Sequence, residues 1–140
     1  MKISWENLIM YEKLKKLDKN IHELESFKKS NTEEEISKNL QKQWVLRYGL
    51  FECIQIVIDT ACHIVSTYNL GSPDTYVACI EHLEKFDYLK NELAEKLKSI
   101  IGLRNLLIHE YAEIDIHQLY SFLDHLDDFR SYAKNIKDYL

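Results

Sequence analysis

Glycine and proline are scarce in this chain, which has three Gly and one Pro in 140 residues. These residues supply most tight turns and interrupt helices, so a protein of many short strands is disfavoured and long helices are favoured. The three cysteines, Cys53, Cys62 and Cys79, show no Cys-x-x-Cys spacing and are odd in number. They are predicted to be reduced thiols packed inside a cytoplasmic protein.

The sequence also lacks the features of an exported, membrane-bound or strongly basic protein. The stretch from Met1 to Glu6 has no apolar signal core, and no uninterrupted apolar run approaches the roughly 20 residues that span a bilayer. The formal net charge is −5. An acidic chain is poorly suited to coat nucleic acid, because non-specific binding depends on neutralising phosphates. We therefore expect a soluble protein that binds neither membrane nor DNA, although a nuclease with locally placed cations is compatible with this charge.

What is present is a helical pattern along the whole chain, with 46% hydrophobic and 29% charged residues. Its length suits one ordinary domain, so residues 1–140 are predicted to form a single all-α domain. We expect a four- or five-helix antiparallel up-and-down bundle. The first helix is predicted over residues 5–28, with apolar residues at helical spacing: Met10, Leu14, Leu17, Ile21 and Leu24.

The remaining helices follow from caps and breaks. Thr32 and Glu35 match a capping box, which predicts a segment from there to about residue 68, with a kink near residue 40. The segment 69–73 is the strongest break, followed by a short helix over about 73–84 and another from about Leu89 through residue 107. Asp115 is the predicted N-cap of the last helix.

The most informative stretch is Arg-Asn-Leu-Leu-Ile-His-Glu-Tyr at residues 104–111. It places Arg104, which binds phosphate, close to His109, which exchanges protons near neutral pH. Asn105 and Tyr111 complete the pattern Arg-Asn-x-x-x-His-x-Tyr. Residues of a regular helix turn about 100° each, so Arg104 and His109 would point about 140° apart. Either the helix ends or distorts between them, or two subunits share the site.

The motif and its all-helical context resemble the HEPN family, and the longer pattern resembles its HepT branch. This resemblance implies a homodimeric endoribonuclease toxin that cuts RNA without a metal, paired with a cognate minimal nucleotidyltransferase antitoxin. His109 would act in general acid–base catalysis, and Arg104 would hold the scissile phosphate. Asn105 would orient His109 or bind phosphate. The resemblance further implies that the antitoxin adenylylates Tyr111.

Other polar residues are predicted to support this site. Glu52, Gln55 and Asp59 recur at helical spacing and are candidates for a polar network beneath Arg104, the alternative being a half-exposed helix face. His63 is a candidate for the same network, although a structural histidine is the stronger interpretation. No cofactor motif and no metal-binding pattern such as His-Glu-x-x-His occurs, so neither cofactor nor metal is expected.

Two other interpretations remain open. The chain would keep the same fold and dimer as a non-catalytic HEPN subunit that binds a nucleotidyltransferase and cuts nothing. In the second interpretation the chain is a plain structural bundle, and Arg104 and His109 are ordinary surface residues.

Overall fold

The computed structural model describes residues 4–109 and 114–140, and all regular secondary structure within these ranges is helical. The helices are α1 Trp5–Ser30, α2 Glu33–Ser37, α3 Leu40–Thr67, α4 Tyr76–Lys85, α5 Asn91–Ile108, α6 Ile116–Ser121 and α7 Leu126–Lys137, with a 3₁₀ turn at Phe122–His125. The predicted all-α class is confirmed. Five of the helices in the described ranges have ten or more residues and build the bundle, whereas α2 and α6 are short.

Local capping explains why the predicted segment 32–68 is two helices. The hydroxyl of Thr32 accepts the backbone N–H of Glu35 at 3.1 Å, as predicted, and starts α2. That helix ends at Ser37. The side chain of Asn39 then accepts the N–H of Lys42 at 3.0 Å and starts α3 as a new helix. Because Asn is a strong N-cap, the expected kink is a complete break.

The long helix α3 is the centre of the bundle and packs against α1, α4, α5 and α7. Its predicted core positions are all buried: Leu50, Ile54, Val57, Ala61 and Ile64. By length and composition alone α3 qualifies as a membrane span, although it contains no uninterrupted apolar run of about 20 residues. Within the bundle, 56% of its most apolar window is buried. A core helix covered on several sides has the same composition as a membrane helix.

The helices at either end of the chain close over α3. Leu14, Leu17, Ile21 and Leu24 of α1 are buried as predicted, whereas Met10 is half-buried. On α7, the fully buried hydroxyl of Tyr132 lies 2.6 Å from the hydroxyl of Thr60 on α3. Burial raises the pKa of Tyr132, so this hydroxyl stays protonated and available for hydrogen bonding.

The connections flanking α4 follow the predicted breaks. Gly71 has a φ of +133°, and a Cβ atom there would lie 2.7 Å from Cε1 of His82. Asp87 has a φ of +65°, in the tight connection that precedes α5.

The last helix is predicted as one unit, but the structure divides it into α6, the 3₁₀ turn and α7. Asp115 is its N-cap as predicted, accepting the N–H of His117 at 3.0 Å.

Two of the three cysteines are joined, so the prediction of three reduced thiols is wrong for this pair. Cys62 on α3 and Cys79 on α4 form a disulfide with their Cα atoms 5.2 Å apart. Cys53 is the free cysteine; its burial raises the pKa of the thiol to about 12. Sequence spacing could not reveal the pair, because the two cysteines are 17 positions apart and the turn from α3 to α4 lies between them.

Candidate functional site

Helix α5 positions the predicted motif and ends inside it. Arg104 and Asn105 lie in the helix, which stops at Ile108. His109 is the C-cap residue, with extended backbone angles φ −86° and ψ 109°. The helix therefore ends between Arg104 and His109, one of the two possibilities that the sequence left open.

Arg104 is half-buried, and three side chains contact its guanidinium. Its Nε donates a hydrogen bond to Oε1 of Gln55 on α3 at 3.0 Å. The ring of Tyr76 lies 4.8 Å from the guanidinium carbon, and the ring of Phe51 lies 5.9 Å from it. Both separations are within the range of cation–π attraction. The two Nη groups make no hydrogen bond to any residue in 4–109 or 114–140.

The hydrogen bond to Gln55 continues into a chain of polar groups that reaches α1. The Gln55 amide donates to Oδ1 of Asp59 at 2.8 Å, and the other carboxylate oxygen of Asp59 lies 3.2 Å from Nζ of Lys13. The amide of Gln55 thus has a partner at each end, which fixes its orientation. Side chains of α3 and α1 therefore hold Arg104 of α5 in place.

Glu52 belongs to a different set of contacts than predicted. Its carboxylate lies 2.8 Å from Nζ of Lys16 and accepts a hydrogen bond from Asn20 at 3.1 Å, both on α1. Burial alone would raise the pKa of Glu52, but hydrogen bonds from Lys16, Tyr48 and Asn20 outweigh it and lower the pKa. The predicted network therefore divides in two: Asp59 connects to Arg104, and Glu52 connects α3 to α1.

His63 makes contacts typical of a structural histidine. Its Nε2 lies 2.9 Å from Oδ1 of Asn7 and 3.4 Å from the hydroxyl of Thr67. These partners lie on α1 and α3, so the side chain links the same two helices as Glu52.

Beside Arg104 lies an open groove of about 590 Å³ between the start of α4 and the C-terminal half of α5. Its lining includes Asp74, Tyr76, Gly102, Arg104 and Asn105. Asp74 and Arg104 are the charged residues of its lining. A guanidinium whose Nη groups have no hydrogen-bond partner in the described residues suits an anionic ligand at the edge of such a groove.

Asn105 on α5 and His109 at its C-cap are both exposed, and so are nearby apolar side chains. Leu106 is 39% exposed and Ile108 is 43% exposed. His109 does not line the groove and makes no side-chain hydrogen bond to the described residues. Tyr111, the predicted modification site, lies outside the described residues.

No group of three or more His, Cys, Asp or Glu side chains able to hold a metal ion occurs in residues 4–109 and 114–140.

Comparison with known proteins decides the family. A family model described as ribonuclease HepT-like matches residues 17–136. The chain belongs to the HepT-like ribonuclease family. The predicted resemblance is therefore confirmed, and the enzyme class predicted from the motif, a HEPN ribonuclease, is that of the family.

Individual relatives extend along most of this HepT-like chain. The tRNA nuclease HepT of Aphanizomenon flos-aquae is 28% identical over 136 residues, which is 96% of this chain and 92% of that protein. The mRNA nuclease HepT of Shewanella oneidensis is 30% identical over 90 residues, covering 64% of this chain and 68% of that protein. The fold matches the solved tri-AMPylated Shewanella oneidensis HEPN toxin in complex with MNT antitoxin, with a TM-score of 0.84, 24% identity and coverage of 93% and 97%.

Tyr76, Phe51 and Gly102 are the residues at this site that sequence reasoning missed. All three lie far from the motif pattern or carry no polar group, so no spacing rule selects them. A signal does exist for Gly102, since it is one of only three glycines and lies within an otherwise regular helical pattern.

Proposed function

We propose that this HepT-like protein is an endoribonuclease toxin that cuts RNA without a metal ion, acts as a homodimer in the cytoplasm, and is neutralised by a cognate nucleotidyltransferase antitoxin. One observation carries the proposal for the chemistry. The guanidinium of Arg104 is held through its Nε by Gln55, and its Nη groups face no partner in the described chain. Such an arrangement suits bidentate binding of a phosphate.

The reaction uses the RNA's own 2′-hydroxyl as nucleophile. His109, exposed at the end of α5, takes the proton of that hydroxyl or gives one to the leaving 5′-oxygen. Arg104 binds the scissile phosphate and stabilises the charge that develops on its oxygens. Asn105 orients His109 or adds a phosphate contact. The products are a cyclic or 3′-phosphate and a new 5′-hydroxyl, and only RNA carries the required 2′-hydroxyl.

Asp59 and Glu52 support the site in different ways in this proposal. Asp59 fixes the amide of Gln55, and through it Arg104. Glu52 acts indirectly, because it holds α1 against α3, the helix that carries Gln55. Neither carboxylate contacts the substrate.

A homodimer is supported by the exposed face of α5. Gly102, Asn105, Leu106 and His109 are exposed at helical spacing, and the adjacent Ile108 adds an exposed apolar side chain. A two-fold axis near this face would bring two copies of His109 and Arg104 into one cleft. Light scattering should then give twice the chain mass of 16.7 kDa, and a stable monomer at micromolar concentration would contradict the shared cleft.

The antitoxin part of the proposal rests on relatives. A structural neighbour is a tri-AMPylated HEPN toxin bound to MNT antitoxin. Here Tyr111 is the proposed acceptor, two residues after His109. An attached AMP would place a negative phosphodiester where the RNA phosphate binds, so it would block the cleft by charge and bulk. Because the two named relatives are a tRNA nuclease and an mRNA nuclease, the substrate proposed here is RNA without further subdivision.

The experiment that tests the chemistry is digestion of transfer RNA and messenger RNA by purified protein in excess EDTA. Wild-type protein should cut, while Arg104→Ala should lose about 10²–10³-fold in rate and His109→Ala about 10²–10⁴-fold. Circular dichroism should be unchanged in both variants. Cleavage that EDTA abolishes and Mg²⁺ restores would contradict the metal-free mechanism. A dimer that cuts no RNA but binds a nucleotidyltransferase would favour the non-catalytic subunit.

A further inference from the structure

We propose that the groove beside Arg104 is a subsite for one unpaired RNA base, which stacks on Tyr76 while the adjoining phosphate is bound by Arg104. This subsite rests on the proposed ribonuclease function and adds a residue that binds the base of the nucleotide next to the scissile bond. Tyr76 is the first residue of α4 and lines the groove together with Arg104 and Asn105.

Tyr76 is exposed beside a cation. Its side chain is 46% exposed although it lies within 4.8 Å of the half-buried Arg104 guanidinium. A large aromatic side chain left open beside a cation is the arrangement that proteins use to stack single-stranded bases. The guanidinium binds the phosphate of the nucleotide, and the ring offers its open surface to the base.

Gly102 leaves space in the groove. It lies in the interior of α5, where glycine is about 1 kcal/mol less favourable than alanine. Packing does not require it, because a Cβ atom at this position would meet nothing within 4 Å. The position lines the groove. The missing side chain therefore keeps open a space that the described chain does not fill, which is what a ligand needs.

Charge selects which part of a nucleotide occupies the groove. Arg104 and Asp74 are its charged lining residues. A phosphate is attracted to Arg104 and repelled by Asp74. The amino or imino groups of a base, by contrast, can donate hydrogen bonds to a carboxylate. The groove away from Arg104 thus suits a base and not a second phosphate.

A double-mutant cycle distinguishes stacking from an indirect effect through Arg104, since Tyr76 also contacts that guanidinium. An RNA oligonucleotide that the wild-type protein cuts is remade in two versions. Each version carries a single abasic residue, on one or the other side of the scissile bond. The specificity constant kcat/KM is then measured for wild type, Tyr76→Phe and Tyr76→Leu on intact and abasic RNA. Phe86→Leu is the matched control, because Phe86 is equally exposed at 46%, lies at the other end of α4 and has Lys85 5.6 Å from its ring.

Stacking on one base predicts a loss of about 5–150-fold for Tyr76→Leu on intact RNA, which corresponds to the usual worth of an aromatic–base stack. The loss should disappear on the RNA that is abasic at one flanking position. Tyr76→Phe keeps the ring and should lose less than Tyr76→Leu, whereas Phe86→Leu should stay within about twofold of wild type. An equal loss on intact and abasic RNA, or no loss at all, would overturn the subsite while leaving the nuclease intact. Wild-type protein that cuts no RNA would instead overturn the proposed function.

Discussion

The Nε of Arg104 donates to Oε1 of Gln55 at 3.0 Å, so that a residue of α5 is fixed by a residue of the central helix. The Gln55 amide is itself held by Asp59 at 2.8 Å. An arginine tethered through Nε can still present both Nη groups as a fork to phosphate. The position of the proposed phosphate-binding group is therefore tied to the central helix α3.

Replacing Gln55 with leucine should impair catalysis more than folding. The variant leaves Arg104 without its acceptor, and misplacing a positioned group by about 1 Å can cost about 10²-fold in rate. We expect kcat to fall by about 10–100-fold, with a thermal midpoint close to that of wild type because Gln55 is only half-buried. The measurement is steady-state RNA cleavage alongside thermal unfolding.

The comparison variant is Gln55→Glu, which keeps an acceptor for Nε but loses the donor to Asp59. Its charge should compete with the phosphate for Arg104, so KM should rise while kcat changes less. Equal kcat values for wild type and Gln55→Leu would show that Arg104 needs no partner on α3.

Glu52 should make stability depend on pH. Its side chain is 18% exposed, and its pKa is lowered below the ordinary value of 4.5. A carboxyl group with a lowered folded-state pKa stabilises the protein above its unfolded pKa, and this contribution is lost as the pH falls through the folded-state value. Glu52→Gln should therefore lower the free energy of unfolding by about 1.5–3 kcal/mol at neutral pH.

The difference between wild type and Glu52→Gln should shrink as the pH falls below about 4.5. Urea unfolding at several pH values measures it. Glu34→Gln is the control, because Glu34 pairs with Lys38 at the surface with side chains 76% and 73% exposed, and such pairs contribute little. A difference that persists unchanged at pH 3 would mean that Glu52 stabilises the fold through its shape and not its charge.

The fold was predictable where local signals act alone. The apolar stripe of α1, the Thr32 cap and the Asp115 cap each depend on residues a few positions apart, and the structure confirms them. The sequence predicts only a kink before α3, because the helical pattern on both sides of Asn39 hides its role as an N-cap. The disulfide between Cys62 and Cys79 depends on tertiary contact between two helices, which a single sequence does not specify.

The site was predictable only in part for the same reason. Periodicity placed Gln55 and Asp59 on one face of α3, but it gave the same weight to Glu52, whose partners lie on α1. The contact of Tyr76 with Arg104 joins residues 28 positions apart on different helices. No periodic pattern within one helix carries that information.

The disulfide should stabilise the protein under oxidising conditions. In the chain-entropy account, closing a loop of this length contributes about 3 kcal/mol. Cys62→Ser and Cys79→Ser should each lower the thermal midpoint in the absence of reductant, and wild type with dithiothreitol should match them. Thiol alkylation without reductant, measured under denaturing conditions by intact mass, should label Cys53 alone. Labelling of all three cysteines would show that the pair is reduced in solution.

Tyr111→Phe should separate toxicity from its neutralisation. The change removes only the hydroxyl that would accept AMP, so the variant should fold, dimerise and cut RNA like wild type. It should stay toxic when the cognate nucleotidyltransferase is co-expressed, whereas wild type should be silenced and gain AMP on the peptide holding Tyr111. Neutralisation without any AMP on that peptide would indicate inhibition by binding alone.

Substitutions at Gly102 should move stability and activity in opposite directions. A Cβ atom at this exposed helix position meets nothing within 4 Å, so Gly102→Ala should raise the free energy of unfolding by about 0.5–1 kcal/mol. Gly102→Leu should keep a stabilised helix but extend into the groove that also holds Tyr76 and Arg104. Cleavage of intact RNA by Gly102→Leu should therefore fall, mainly through a higher KM.

Ser99→Leu is the matched control for this position, because Ser99 is exposed on α5 one turn earlier and does not line the groove. It should leave both activity and oligomeric state unchanged. Light scattering on Gly102→Leu distinguishes two uses of the open space. An intact dimer with weakened RNA binding assigns the space to substrate, because the leucine then obstructs only the groove. A monomer would instead assign it to close approach of the two α5 helices, since a glycine is also what such an approach requires.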